Sequence, residues 1–304
     1  MTKFTGLRAL ALAALIPTTL VLAACSAAAA PGTGSSDSPA EPVKVRIGVS
    51  EIGPIQDVLK TVASENNVEI EWQAFSDWTL PNEALVNGDI DANAFQHIAF
   101  LSAFNVAKDA DVQPVGPTQI TTWGLYSENY DAVADLPAGA KIAIPNDPSN
   151  GARALFLLRE AGLIELGSDI GIYPTTEDIT KNSRNIEILP VVAQQLPTTY
   201  PDVDAVVVGA ATIDKALSIT SDKALLLDDP HADTSLPYTN VLAVRGEDKD
   251  KKEWADIVAF WQDPRVAEAL KTESKGNSVV ATVPVEKLRS TLAELEKLAE
   301  DIKN

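Results

Sequence analysis

Arg153 lies in the stretch Ile144-Pro145-Asn146-Asp147-Pro148-Ser149-Asn150-Gly151-Ala152-Arg153-Ala154-Leu155, which reads as a strand, a tight loop and a helix start. Asn150 or Ser149 can cap that helix, and Gly151 allows close approach of another backbone. The pattern places Arg153 in the first helical turn, where unpaired N–H groups and the helix dipole already favour an anion. A guanidinium there can grip a carboxylate through two parallel hydrogen bonds. The competing role is a structural ion pair, with Asp147 or Glu160 as partner.

A second group is aromatic. Phe75-Ser76-Asp77-Trp78 ends one expected strand, and Phe95-Gln96-His97 ends another, with Phe100 a helical turn beyond. Taken singly, each aromatic is most simply a core residue. Gathered at one sheet's carboxyl edge, Trp78, Phe95, His97 and Phe100 form the wall of an apolar slot. Asn240, in Leu236-Pro237-Tyr238-Thr239-Asn240-Val241, offers a carboxamide that can donate and accept, suited to an α-amino or carboxylate group. Its plain alternative is a turn asparagine.

The elements that must position these residues alternate strand and helix. Strands are expected over 43–49, 68–75, 90–95 and up to Gly116, with helices over 54–66, 81–86 and 98–108. The pattern restarts with strands over 140–144, 186–191, 205–208 and 223–227 and helices over 152–161, 192–200 and 211–218. Such alternation means βαβ units in mixed, mostly parallel sheets. Gly88-Asp89-Ile90-Asp91-Ala92 and Pro201-Asp202-Val203-Asp204-Ala205 form a weak repeat, so two related sheets are expected rather than one large one. Extended segments 121–127 and 240–245 connect the lobes, and helices over 251–262, 264–275 and 284–302 return to the first. The expected division is one lobe from 43–122 plus 241–304 and another from 123–240. Open sheets bind ligands beyond their strands' carboxyl ends, here the interlobe cleft, and a double hinge can close it.

The N-terminus speaks to location. Lys3 and Arg8 precede an apolar run from Ala9 to Leu22, interrupted by Pro17, that fits a signal peptide over 1–24 better than a spanning helix. It ends in Leu22-Ala23-Ala24-Cys25, which resembles the lipobox of bacterial lipoproteins. That resemblance implies cleavage before Cys25 and lipid on its sulfur, several acyl chains making a firm anchor. Residues 25–42, rich in Ser, Ala, Pro and Gly, read as anchor and flexible tether. Cys25 is the single cysteine among 304 residues, so no intramolecular disulfide can form.

Composition excludes more than it assigns. The net charge is −19, and −21 once Lys3 and Arg8 are lost with the signal, a surface that repels nucleic acid and anionic headgroups. With two histidines, His97 and His231, and Cys25 committed to lipid, hydrolytic triads and multi-histidine metal sites lack parts. Neither a Walker-type nor a dinucleotide-binding glycine loop occurs, and no cofactor is expected.

The segment 88–100, with Asp91-Ala92-Asn93-Ala94-Phe95-Gln96-His97, and the segment 144–155 closely resemble the NLPA-type methionine-binding lipoproteins of bacterial importers. Asp178-Ile179-Thr180 and Pro237-Tyr238-Thr239-Asn240 match as well, and the likeness spans nearly the whole mature chain. It implies a two-lobed, type II-like periplasmic-binding-protein fold and a methionine or methionine-dipeptide ligand. It also implies partnership with an ABC permease and its ATPase at the extracytoplasmic face of the cell membrane. The family's carboxylate-binding arginine falls on Arg153 and its amino-acid-binding asparagine on Asn240. Its side-chain pocket falls on Trp78, Phe95, His97 and Phe100, with Tyr126 and Asn150 as further ligand-binding candidates. The pattern departs at Gly209, where many relatives have asparagine, at Gly53-Pro54-Ile55, and at Ala99, which stands for a common proline.

Overall fold

The computed structural model describes residues 41–303 other than Asp169. The Cys25 and signal-peptide readings lie outside the described residues. Strand β1 (Val43–Val49) leads through α1 (Pro54–Glu65) to β2 (Val68–Ala74), paired in parallel from Val43↔Val68 to Val49↔Ala74. Then come α2 (Leu80–Val86), β3 (Ala92–Asn93), α3 (Ile98–Lys108) and β4 (Val112–Pro117). The strand expected over 90–95 shrinks to two residues, flanked by backbone bonds from Asp91 N–H to Arg46 O and from Ala94 N–H to Gly48 O, both at 2.8 Å.

The chain then crosses to a second sheet by β5 (Gln119–Thr121) and β6 (Trp123–Tyr126). β7 (Lys141–Pro145), α4 (Pro148–Glu160), the short hairpin strands β8 (Glu165–Leu166) and β9 (Ile179–Lys181), and β10 (Glu187–Val191) follow. The single helix expected over 192–200 is a 3-10 turn, then α5 (Leu196–Thr199), then another 3-10 turn, since Pro197 and Pro201 interrupt a continuous ladder. β11 (Ala205–Gly209), α6 (Ala210–Leu217) and β12 (Ala224–Leu227) complete this lobe. β13 (Val241–Arg245) returns to the first sheet, followed by α7 (Glu253–Phe260), α8 (Pro264–Glu273), β14 (Ser278–Val280) and α9 (Val285–Lys303).

The two principal sheets run β2-β1-β3-β13-β4 and β10-β7-β11-β6-β12. Both are mixed, with parallel pairs on one side and antiparallel pairs where the crossing strands β13 and β6 run back through the sheet. β11 is buried along its length. Ala205 and Val207 enter one core while Val206 and Val208 enter the other, as a period of two requires of a strand covered on both faces. β13 does the same with Leu242 and Val244 against Val241 and Ala243.

The weak internal repeat has a physical meaning. Asp91 accepts the backbone N–H of Arg46 at 2.8 Å and returns its own N–H to Arg46's carbonyl at 2.8 Å. Asp204 does the same with Lys141, at 2.8 and 2.9 Å. Each aspartate thus ties the start of a crossover strand to its parallel neighbour.

The two crossings are hydrogen-bonded to each other. Thr118 N–H donates to Asn240 O and Asn240 N–H to Gln119 O, both at 2.8 Å. β14 adds a third strand to this joint by pairing with β5 from Ser278↔Thr121 to Val280↔Gln119. Tyr173, from the loop between β8 and β9, reaches α3 and donates to Ala99 O at 3.0 Å.

Gly116 marks how tightly the first lobe is filled. A Cβ at that position would overlap Val258 on α7. Gly116→Ala is therefore expected to destabilise the protein by about 1–3 kcal/mol through overpacking, read as a lowered urea midpoint with an unchanged slope.

Candidate functional site

A cavity of about 550 Å³ opens between the carboxyl edges of the two principal sheets. From the first lobe it is lined by Trp78, Phe95, His97 and Phe100, from the second by Trp123, Asn150, Arg153 and Gly209, and from the crossing between them by Asn240. Its volume falls within the roughly 300–1,000 Å³ of small-molecule sites.

Arg153 reaches this cavity by a different route from the one its sequence position suggests. Helix α4 starts at Pro148, and its N-cap is Asp147, whose Oδ1 accepts from Asn150 N–H at 2.9 Å. Asp-Pro suits a cap followed by a first helical position. Arg153 therefore sits in the second turn, and the helix's own aspartate takes up the anion-favouring end. The close approach expected at Gly151 is present, with Pro145 O 2.9 Å from where a Cβ would stand.

The guanidinium is 4% exposed and paired neither with Asp147 nor with Glu160. Nε and Nη2 donate to Asp228 Oδ2 at 2.9 and 2.6 Å, and Nη2 also donates to Thr121 O at 2.9 Å. Its Cζ lies 4.4 Å from the Tyr238 ring centroid and 5.2 Å from that of Trp123. Burial weakens the guanidinium's hold on its proton, and Asp228 opposes that effect; the group remains cationic. Nη1 makes no hydrogen bond to the described residues, so one edge of a fixed cation is left for the cavity.

Asp228 was not singled out from the sequence. It follows β12, at the carboxyl edge where such sheets place their ligand groups, and that position is the signal that could have found it. Its Oδ1 accepts from Trp123 N–H at 2.7 Å, and its own N–H donates to Trp123 O at 2.9 Å. The carboxylate is thereby fixed to the first residue of β6.

His97 caps α3: Nδ1 accepts from Phe100 N–H at 3.1 Å. That assignment leaves the proton on Nε2, which donates to Asn150 Oδ1 at 3.0 Å, and Asn150 Nδ2 donates in turn to Asp147 at 3.1 Å. A chain of polar groups thus runs from the start of one lobe's helix to the start of the other's. Both His97 and Asn150 line the cavity, but their polar atoms are committed to each other. Arg153 Nη1 and the Asn240 carboxamide, by contrast, make no hydrogen bond to the described residues.

Asn240 keeps its carboxamide free of described partners while its backbone joins the two crossings. Phe95 and Phe100 meet edge to face at 5.9 Å, and His97 meets Tyr238 likewise at 5.4 Å. Beneath them, Asn82, Asn93 and Gln96 are fully buried and satisfy one another over 2.6–3.0 Å, which pins the segment that carries Phe95 and His97. Tyr126 does not join the site. β6 begins at the cavity with Trp123 and runs away from it, so Tyr126 ends fully buried in the second lobe's core, its hydroxyl without a partner among the described residues. At Gly209 a Cβ would meet Thr212 Oγ1 at 3.2 Å and Trp123 Nε1 at 3.6 Å, so glycine leaves that corner open.

Two ion pairs close one side of the cleft. Lys215 on α6 binds Glu51, which follows β1, and the neighbouring Asp214 binds Lys275, before β14, at 2.8 Å.

The topology defines the class: two α/β lobes, doubly connected, with a cavity between facing sheet edges. Within that class, the chain belongs to the NlpA lipoprotein family, which it matches over residues 43–282. It is 34% identical to Lipoprotein 28 of Escherichia coli K12 over 271 residues, 88% of this chain and 95% of that protein. The D-methionine-binding lipoprotein MetQ of Salmonella typhimurium is 33% identical over 251 residues, 82% of this chain and 91% of the relative. A nutrient-binding protein from Burkholderia cenocepacia, solved bound to methionine, superposes with a TM-score of 0.73 at 34% identity, covering 78% of this chain and 100% of that one.

His97 supplies a pH test. Burial, with the nearby Arg153 charge, pushes its pKa down to about 4, against the opposing pull of Asn150 and Asp147. An unfolded chain's imidazole takes up its proton near 6.5, so between pH 6.5 and 4 the unfolded state binds more protons and stability falls as pH falls. The loss of Tm between pH 7 and pH 4.5 should therefore be smaller in His97→Gln than in the wild-type protein, read by calorimetry; equal losses contradict the assignment.

Proposed function

We propose that the cavity binds methionine, or a methionine-like amino acid, and that the protein delivers it to an ABC permease and its ATPase. The reading is carried by one observation: a buried guanidinium fixed on its Nε and Nη2 side, with Nη1 left toward an aromatic-walled cavity beside the free carboxamide of Asn240. The ligand's carboxylate takes Arg153 Nη1, and its α-amino group is oriented by Asn240. Its thioether lies among Trp78, Phe95 and Phe100, where sulfur on aromatic rings gains about 0.3–1.5 kcal/mol per contact. The methionine named for the Salmonella relative and bound in the Burkholderia structure supports this choice of side chain.

The same reading extends to location and mode of action. The lipobox-like Leu22-Ala23-Ala24-Cys25 supports a lipid anchor on Cys25 and residence at the extracytoplasmic face of the cell membrane. The protein captures and releases its ligand without chemical change. The crossings at 118–123 and 238–241 act as the hinge, and the lobes are those built on the two principal sheets.

Titration calorimetry with L- and D-methionine tests this. Wild-type protein is expected to bind at least one enantiomer. Asn240→Ala, whose side chain has no described partner to orphan, should weaken binding about tenfold or more, as loss of a hydrogen bond to a charged group (about 1.5–3 kcal/mol) requires. Arg153→Lys, which keeps charge but not the fork, should weaken it further and also lower stability, because Asp228 loses its two-point partner. Unchanged affinity in both variants contradicts the proposal.

A further inference from the structure

Resting on that reading, we infer that Asp228 is a specificity-determining residue: it makes the cleft select a net-neutral zwitterion, an α-amino acid with a free ammonium, over a carboxylate anion of the same shape. The inference follows from counting charges where they lie. Arg153 is the buried cation of the site, and its Nε and Nη2 are already engaged by the Asp228 carboxylate. The other charged side chains lining the cavity are Lys215, Glu51 and Glu273. Lys215 is paired with Glu51 across the cleft, and Glu273 accepts, among the described residues, a backbone N–H from Ile55 at 3.2 Å. The cavity therefore carries no surplus positive charge to receive an anion.

A ligand carboxylate that docks on Nη1 becomes the second carboxylate on a single guanidinium. Away from bulk water such like charges repel strongly unless a further cation sits close by. An α-amino acid carries that cation one carbon from its carboxylate, so the assembly of Asp228, Arg153 and ligand closes neutral. The corresponding 2-hydroxy acid has nearly the same shape but no ammonium, and leaves the assembly one negative charge in excess.

Asp228 cannot relieve the strain by turning away. Its Oδ1 is held by Trp123 N–H at 2.7 Å, its backbone N–H by Trp123 O at 2.9 Å, and its side chain is 20% exposed. It is not itself in the cavity lining, so it acts on the ligand through Arg153, as a positioning residue. A general structural role predicts that its loss weakens all ligands alike; a charge-setting role predicts that the ratio between ligands moves.

The experiment measures Kd for methionine and for 2-hydroxy-4-(methylthio)butanoate, in wild-type protein and in Asp228→Asn, which removes the charge and keeps one of the two acceptor oxygens. Wild-type protein should bind the hydroxy acid about a hundredfold more weakly than methionine, and Asp228→Asn should compress that ratio about tenfold. Asp228→Glu, which retains the charge, should keep the wild-type ratio. Should the asparagine variant not fold, the wild-type and glutamate ratios carry the test, and a compressed ratio in the glutamate variant overturns the inference. Equal wild-type affinity for the two ligands overturns it, as does a ratio unmoved in Asp228→Asn. Methionine binding with an unmoved ratio sinks this inference alone; no methionine binding by the wild-type protein sinks the ligand reading along with it.

Discussion

A buried guanidinium must be paired, and the pairing of Arg153 with Asp228 organises the centre of this molecule. Removing one partner of such a pair costs about 3–5 kcal/mol, so the contact constrains everything attached to it. Arg153 belongs to α4, Asp228 to the end of β12, and the latter is bonded to Trp123 at the start of β6. Through Thr121 O the guanidinium also touches the first crossing. Helix, sheet edge and interlobe joint are thus tied at one cation, and the aromatic rings of Tyr238 and Trp123 shield it without competing for its protons.

Around that point the protein meets its remaining polar demands with short local circuits. Asp147 serves the start of α4, His97 the start of α3, and Asn150 links the two. Asn82, Asn93 and Gln96, all buried, complete each other. Because these circuits are closed, the polar atoms of His97 and Asn150 are already engaged, while Arg153 Nη1 and the Asn240 carboxamide make no hydrogen bond to the described residues. Selectivity in such a site comes from what has been withheld as much as from what is offered.

Much of this was legible in the sequence because it is local. The limits of β1 and α3 follow from alternation and period, and the paired Asp phrases at 88–92 and 201–205 announce two related sheets whose aspartates do the same work. The aromatic group and Asn240 come together in the cavity because each stands at a strand's carboxyl edge or in a crossing. Helix α4 starts earlier than caps at Ser149 or Asn150 imply, because Asp147-Pro148 is the stronger N-terminal signal. What pattern could not reach was pairing at a distance: Asp228 is 75 residues from Arg153 and lies in no recognisable motif with it. Tyr126 failed for a related reason, since strand direction, which sends it away from the cavity, is decided by sheet topology rather than by composition.

The central claim is that one edge of a doubly held guanidinium receives the ligand's carboxylate. A crystal structure of the methionine complex tests it most directly. The account predicts a carboxylate oxygen within hydrogen-bonding distance of Arg153 Nη1 while Asp228 remains on Nε and Nη2 and the amino group faces Asn240. A carboxylate bound elsewhere in the cleft, or one that displaces Asp228 from the guanidinium, would contradict it.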